Sequence, residues 1–113
     1  MNDQEFKRMD KGFAVTFLVN ELTPAQFDIC VKEVPFHVVS QCLEKLTQKH
    51  IDDFVLNNPG IALIYLFSKL TSEQVEFCIK RAPGTAFVYC ANKLTPTQYA
   101  FCHKYNPNIK HRY

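Results

Sequence analysis

The sequence predicts an all-α solenoid of stacked helical hairpins, and three observations predict it. Leu-Thr stands at 22-23, 46-47, 70-71 and 94-95, and proline stands at 35, 59, 83 and 107, both at an interval of 24 residues. Each Leu-Thr opens a stretch with the chemistry of a helix start, and a fixed interval of this size is the signature of a repeat architecture. The 113 residues therefore divide into units of about 1-21, 22-45, 46-69, 70-93 and 94-113, or about four and a half helix pairs and roughly nine short helices in right-stacked order.

Adding 24 to the first unit lays Phe6 on Cys30, Gly12 on Phe36, Ala14 on Val38 and Val15 on Val39, so the repeat begins before its first Leu-Thr. Residues 2-10 read as a first short helix and 12-21 as its partner, with polar Asn2-Asp3-Gln4-Glu5 facing water as a cap on the stack. The second unit opens Leu22-Thr23-Pro24-Ala25-Gln26-Phe27. Thr23 is placed as N-cap, Pro24 at the first helical position, and Gln26 where it can reach back to the cap amide, which is a capping box. Leu22 and Phe27 suit a hydrophobic staple across it. The pattern returns as Thr47/His50 with Leu46/Ile51, Thr71/Gln74 with Leu70/Val75, and Thr95-Pro96/Gln98 with Leu94/Tyr99. His50 departs from the box and reads as a weaker cap or a surface residue.

Within each first helix the apolar residues fall on one face: Phe27, Cys30, Val31; Ile51, Phe54, Val55; Val75, Cys78, Ile79. The last copy gives Tyr99, Cys102 and His103, with His103 at a core edge. Val34-Pro35, Asn58-Pro59, Ala82-Pro83 and Asn106-Pro107 mark a tight corner after each first helix, since the residue before proline is driven out of helical geometry. Second helices are expected over 36-45, 60-69 and 84-93. They would bury Val38, Val39, Cys42 and Leu46; Ala62, Leu63, Leu66 and Leu70; and Ala86, Phe87, Cys90 and Leu94. Lys45, Lys69 and Lys93 then fall in last turns, where a cation complements the helix dipole. Ile61 to Phe67 is apolar nearly all round, as in a helix covered on several sides. After Pro107 only six residues remain, half a repeat with a basic end.

The net charge of +2 is unevenly divided: residues 1-56 carry six basic and nine acidic side chains, whereas residues 57-113 carry seven basic and two acidic. Such a split can steer an anionic partner toward the C-terminal half, although no dense Lys/Arg cluster accompanies it. Cys30, Cys78 and Cys102 share one repeat position, which Phe6 and Phe54 fill elsewhere, and Cys42 and Cys90 share another. A position that accepts Cys or Phe is a buried apolar one, where Cys acts as a small hydrophobe. With no Cys-x-x-Cys spacing, disulfide and metal uses are disfavoured, and a reducing, cytoplasmic compartment is expected. The apolar run 13-19 follows a segment of mixed charge and does not read as a signal peptide, and no run reaches the ~20 residues of a spanning helix. No membrane role is expected.

Leucine-rich repeats share this range of period but require Leu-x-x-Leu-x-Leu and an Asn or Cys ladder, which no unit shows. The set Glu73, Val75, Cys78-Ile79, Pro83, Ala86-Phe87-x-Tyr89 and Leu94, and less fully Ala62-Leu63-x-Tyr65 and Leu70, resembles a family of short tandem helical repeats described as a domain of unknown function. Cys often stands where that family has Ala or Val. The resemblance implies a helical repeat and supplies no catalytic residues.

No catalytic constellation is expected either. Gly12, Gly60 and Gly84 share one corner position and form no phosphate-cradling loop. Adjacent Asp52 and Asp53 point in different directions on a helix. His37, His50, His103 and His111 lack metal-ligand spacing. The chain reads as a non-enzyme without cofactors, a small protein-binding adaptor or inhibitor such as phages and mobile elements encode. Its candidate partner-binding row is Phe17, Gln41, Tyr65 and Tyr89, equivalent positions of successive units, with Glu21, Lys45, Lys69 and Lys93 four residues on. Aromatic anchors favour protein interfaces. Gln41, Lys45, Tyr65, Lys69, Tyr89 and Lys93 are thus the expected contacts. Two alternatives remain open: nucleic acid at Lys69, Lys80, Arg81, Lys93, Lys104, Lys110 and Arg112, and self-association through Tyr99, Phe101 and Cys102 of the half repeat.

Overall fold

In a computed structural model the chain is all-helical, with nine α-helices and no strand among the described residues, which are 1–106. Pro107, the half repeat after it, and His111, Lys110 and Arg112 lie outside the described residues. First helices are α1 (Asp3–Arg8), α3 (Pro24–Glu33), α5 (Gln48–Asn57), α7 (Ser72–Arg81) and α9 (Pro96–Tyr105); second helices are α2 (Lys11–Phe17), α4 (Pro35–Gln41), α6 (Pro59–Tyr65) and α8 (Pro83–Tyr89). From α4 onward each helix starts 24 residues after its counterpart, so the interval read in the sequence is a structural repeat. No helix among the described residues is long and apolar enough to cross a membrane.

The helix starts follow local chemistry. Thr23, Thr71 and Thr95 cap α3, α7 and α9, each with a reciprocal capping box closed by Gln26, Gln74 or Gln98. In α4, α6 and α8 no side chain caps the start, and proline occupies the first turn, where its missing N–H costs nothing. Lys11 replaces that proline in α2, and there the Asp10 carboxylate accepts the Phe13 N–H at 2.9 Å. Capping side chain and proline thus substitute for one another at the same corner.

Second helices are shorter than the sequence predicts. Each stops after seven residues and is followed by a separate 3₁₀ turn, at Val19–Glu21, Leu43–Lys45, Phe67–Lys69 and Ala91–Lys93. The break falls at Leu18, Cys42, Leu66 and Cys90, whose carbonyls accept from the residue three ahead instead of four: Lys45, Lys69 and Lys93 donate to Cys42, Leu66 and Cys90 at 2.8 to 3.0 Å. The turn contains Asn20, Ser68 or Asn92 in three of its four copies; short polar side chains compete for backbone groups and disfavour continued helix. Tightening there delivers Leu22, Leu46, Leu70 and Leu94 in extended conformation to the next cap. The last turns of α4, α6 and α8 hold no basic residue, so the dipole role expected for Lys45, Lys69 and Lys93 is not what places them. The row positions and the residues four beyond them are likewise separated by the break.

The described chain forms two compact units, Met1–His50 and the part from Ile51 onward. In the first, α2 packs on α3 and α4, and α3 on α4. Its core is Phe6, Ala14, Val15, Phe27, Cys30, Val31, Val38, Val39 and Cys42. In the second, α7 touches α6, α8 and α9, while α6 lies beside α8 and α8 beside α9. Ile51, Phe54, Val55, Ala62, Leu63, Leu66, Val75, Cys78, Ile79, Ala86, Phe87, Cys90 and Cys102 are buried there. These are the faces predicted from spacing. Each large member contributes about 1.5–3 kcal/mol on burial. Leu46, Leu70 and Leu94 are half-buried.

Successive first helices are tied by a polar rung absent from the sequence reading. The Gln74 side chain accepts the Thr71 N–H at 3.0 Å and donates through Nε2 to Asp52 Oδ1 at 2.8 Å. Gln98 does the same between Thr95 at 2.9 Å and Glu76 Oε1 at 2.5 Å. Gln26 joins Thr23 at 2.9 Å to Asp3 Oδ1 at 2.8 Å, and also donates to the Met1 carbonyl at 2.7 Å. His50, expected as a weak cap or surface residue, is 8% exposed and serves as the fourth rung. Its Nδ1 accepts the Thr47 N–H at 3.0 Å, which leaves the proton on Nε2, 2.6 Å from Asp28 Oδ1. A neutral imidazole in this tautomer presents acceptor and donor in the same order as a glutamine amide.

That equivalence makes a direct prediction. His50→Gln should leave the urea midpoint nearly unchanged, whereas His50→Ala should lower stability by about 1–3 kcal/mol, because the buried ring leaves space behind and the Thr47 N–H and the Asp28 carboxylate both lose a partner.

Candidate functional site

The expected contact residues occupy one repeat position and its neighbour beyond the break. Gln41 ends α4 and is exposed, and Lys45 is exposed in the following turn; both belong to the first unit. In the second unit Tyr65 ends α6 and is half-buried, Tyr89 ends α8 and is 63% exposed, and Lys69 and Lys93 are exposed in the turns that follow. Because α6 and α8 are in contact, Tyr65 and Tyr89 close adjoining helices at the same register. Val88, beside Tyr89, is also exposed. The Lys93 ammonium lies 5.2 Å from the centre of the Phe67 ring, a cation–π distance that ties it to the preceding turn. In the first unit the row begins with Phe17, 68% exposed, its ring 4.9 Å from that of Phe13.

Of the basic residues considered for nucleic acid, Lys69, Lys80, Lys93 and Lys104 are exposed, and Arg81 is exposed with its guanidinium 4.4 Å above the Phe77 ring. For self-association, Cys102 is fully buried, and Tyr99 and Phe101 are half-buried. Tyr99 and His103 pack against Phe87 at 5.1 and 5.7 Å between ring centres, and Phe101 lies 5.0 Å from Tyr105. Of this set Cys102 is covered from within the second unit, while Tyr99 and Phe101 stay partly exposed. His103 sits at the core edge, as its position implied.

Among the described residues no three His, Cys, Asp or Glu side chains converge as a metal site would require. Asp52 and Asp53 diverge, Asp52 receiving the Gln74 amide. The three glycines have ordinary backbone angles. At Gly12 an added Cβ would stand 3.1 Å from the exposed His37 ring and from Asp10 Oδ1, a tight contact that those side chains would have to relieve by shifting.

Sequence reasoning missed the surface on the first-helix side. A shallow groove of about 410 Å³ runs between α5 and α7, floored by Val55, Leu56 and Phe77 and edged by Asp52 and Glu73. Its signal was present in the repeat: Leu56 stands where Lys32, Lys80 and Lys104 stand in other units.

All five cysteines are unpaired and buried. Burial raises every thiol above its ordinary value of 9.0, Cys78 to about 11. Cys90 Sγ donates to the Leu63 carbonyl at 3.4 Å. These are inert core side chains rather than nucleophiles. No protein family, curated protein or solved structure matches this chain.

The thiols predict a pH dependence. The unfolded chain ionises them near 9.0 and the folded chain only at higher pH, so stability from this source is full below pH 9 and falls as pH rises toward about 11. Chemical denaturation between pH 7 and 10.5 should show a flat region and then a decline, and replacing Cys78 with alanine should reduce the slope of that decline.

Proposed function

We propose that this chain is a non-enzymatic protein-binding module, a small adaptor or inhibitor, that meets its partner through outward residues of its repeated second helices. The observation that supports the reading most is Tyr89, 63% exposed at the end of α8, with Lys93 beyond it and the Tyr65/Lys69 pair at the same register of adjoining α6. Tyrosine carries a large apolar ring and a hydroxyl with few rotamers to lose, and so makes an effective anchor. Nothing in the fold requires tyrosine at this position, since the equivalent residue in α4 is Gln41. The buried, unpaired thiols support a cytoplasmic setting. The resemblance to helical repeats of unknown function is consistent with a binding role and adds no chemistry to it.

A nuclease-treated pull-down from native lysate at low and high salt tests the proposal. A stoichiometric protein should survive both treatments, and should be lost from Tyr65→Ser/Tyr89→Ser while the circular dichroism of that variant is unchanged. Undiminished recovery by the double variant would reject the row as the contact surface. Recovery that disappears with nuclease or modest salt would transfer the function to nucleic acid bound by the basic half, because phosphate contacts weaken steeply with salt.

A further inference from the structure

The repeat supplies its own control for what folding requires. At the position of Leu56 the other units carry Lys32, Lys80 and Lys104, so the packing of a first helix is satisfied by a lysine there. Leu56 is nevertheless 60% exposed, a large apolar side chain left in water at the one copy where the fold accepts a charge elsewhere. The position of Glu73 varies freely, with Ala25, Lys49 and Thr97 as its counterparts, so the repeat does not call for a carboxylate there. Leu56 and Glu73 both line one feature, the groove between α5 and α7, together with Val55 and Phe77. Phe77 is half-buried, and its ring is steadied by the Arg81 guanidinium at 4.4 Å. Beyond Phe77 a second shallow depression of about 390 Å³ continues over Glu76 and Lys80, so that Glu73 and Phe77 border apolar surface on both sides.

The charged lining groups of the groove are the carboxylates of Asp52 and Glu73, and the Arg81 guanidinium approaches it over the Phe77 ring. Asp52 is engaged by Gln74, whereas Glu73 makes no hydrogen bond or ion pair among the described residues. An apolar floor beside a carboxylate of this kind selects a ligand that joins an apolar side chain to a cation and repels one that carries an anion. The opening is too shallow to enclose a small molecule, and it lies between residues of two helices, as suits an extended or helical peptide.

We propose that the α5–α7 groove docks a short segment of another protein in which one Leu, Ile or Phe stands beside a lysine or arginine. The apolar side chain lies between Leu56 and Phe77, and the cation meets Glu73. The inference rests on the reading of the chain as a protein-binding module but not on the tyrosine row, which lies on the second helices.

The test is an amide-resolved NMR titration of the full chain with acetylated, amidated hexapeptides: one with a central Leu flanked by lysines, one with the same Leu flanked by glutamates, and one with a central Ala flanked by lysines. The Lys-Leu peptide should produce saturable shifts centred on Leu56, Glu73 and Phe77, and the two control peptides should bind at least about tenfold more weakly. Leu56→Lys, which restores the residue of the other units, and Glu73→Lys should each weaken binding about tenfold or more with the rest of the spectrum unchanged. Equal binding of the glutamate peptide, shifts centred on Tyr65 and Tyr89, or no saturable shift would overturn the proposal. Concentration-dependent shifts of the same groove amides without peptide would overturn it too, by assigning the groove to a second copy of this chain. The titration reads the groove directly, so its failure leaves the tyrosine-row pull-down standing, and failure of the pull-down leaves the titration standing.

Discussion

A single side chain with two tasks joins each first helix to the one before it. In Gln26, Gln74 and Gln98 the amide oxygen completes a capping box, and the amide nitrogen reaches the carboxylate of Asp3, Asp52 or Glu76 on the preceding helix. Local and tertiary order are coupled through one group. The cap holds the amide in a fixed orientation, and that orientation aims its donor at the neighbouring carboxylate, so forming the helix start and setting the register between helices become the same event. His50 shows that the requirement is for an acceptor and a donor at the correct separation, because its two ring nitrogens meet Thr47 and Asp28 in the same order. The apolar faces supply most of the stabilisation but specify position loosely. Directional polar bonds at a constant interval define it.

Much of this fold was legible because repetition turns one weak signal into four. Thr71 followed by Gln74 is a modest hint of a helix start, and the same pair at 23/26 and 95/98 makes it a strong one. The faces of Phe27, Cys30 and Val31 and of their counterparts were readable for the same reason, and so was the burial of the cysteines. The break in the second helices was not. Cys42, Leu66 and Cys90 are apolar and continue the helical spacing from Val38, Ala62 and Ala86, so periodicity runs straight through a point where the backbone changes from four-residue to three-residue hydrogen bonding. The weak signal was in Asn20, Ser68 and Asn92, residues that loosen a helix without interrupting its pattern. The rungs were missed because a carboxylate on an exposed face reads as solvation. Only the recurrence of Asp28, Asp52 and Glu76 at the repeat interval, each 22 residues before His50, Gln74 or Gln98, set them apart.

In the function proposed for this chain, exposed departures from the repeat mark the contact surfaces. Where all units agree, the residue serves the helix hairpin; where one unit differs and the difference is solvent-exposed, folding does not explain it. Leu56 among lysines is of this kind; at the row position the aromatic Phe17, Tyr65 and Tyr89 recur and Gln41 is the one that differs. The candidate row was visible in the sequence because tyrosine at equivalent positions draws notice. The α5–α7 groove was not, since it needs Leu56 and Phe77, 21 residues apart, to face one another across two helices.

The central claim, that a cap amide and the preceding carboxylate act as one unit, is tested most directly by exchanging the members of a rung. Gln98→Glu keeps an oxygen for the Thr95 cap but sets a carboxylate against Glu76; Glu76→Gln alone sets two amides together; the two combined restore a donor facing a carboxylate with the direction reversed. Urea denaturation of the four proteins in this cycle should show the double variant more stable than the sum of the single effects by about 0.5–1.5 kcal/mol. Strictly additive effects would mean that Glu76 and Gln98 are neighbours without energetic coupling, and the register of the repeat would have to come from apolar packing alone.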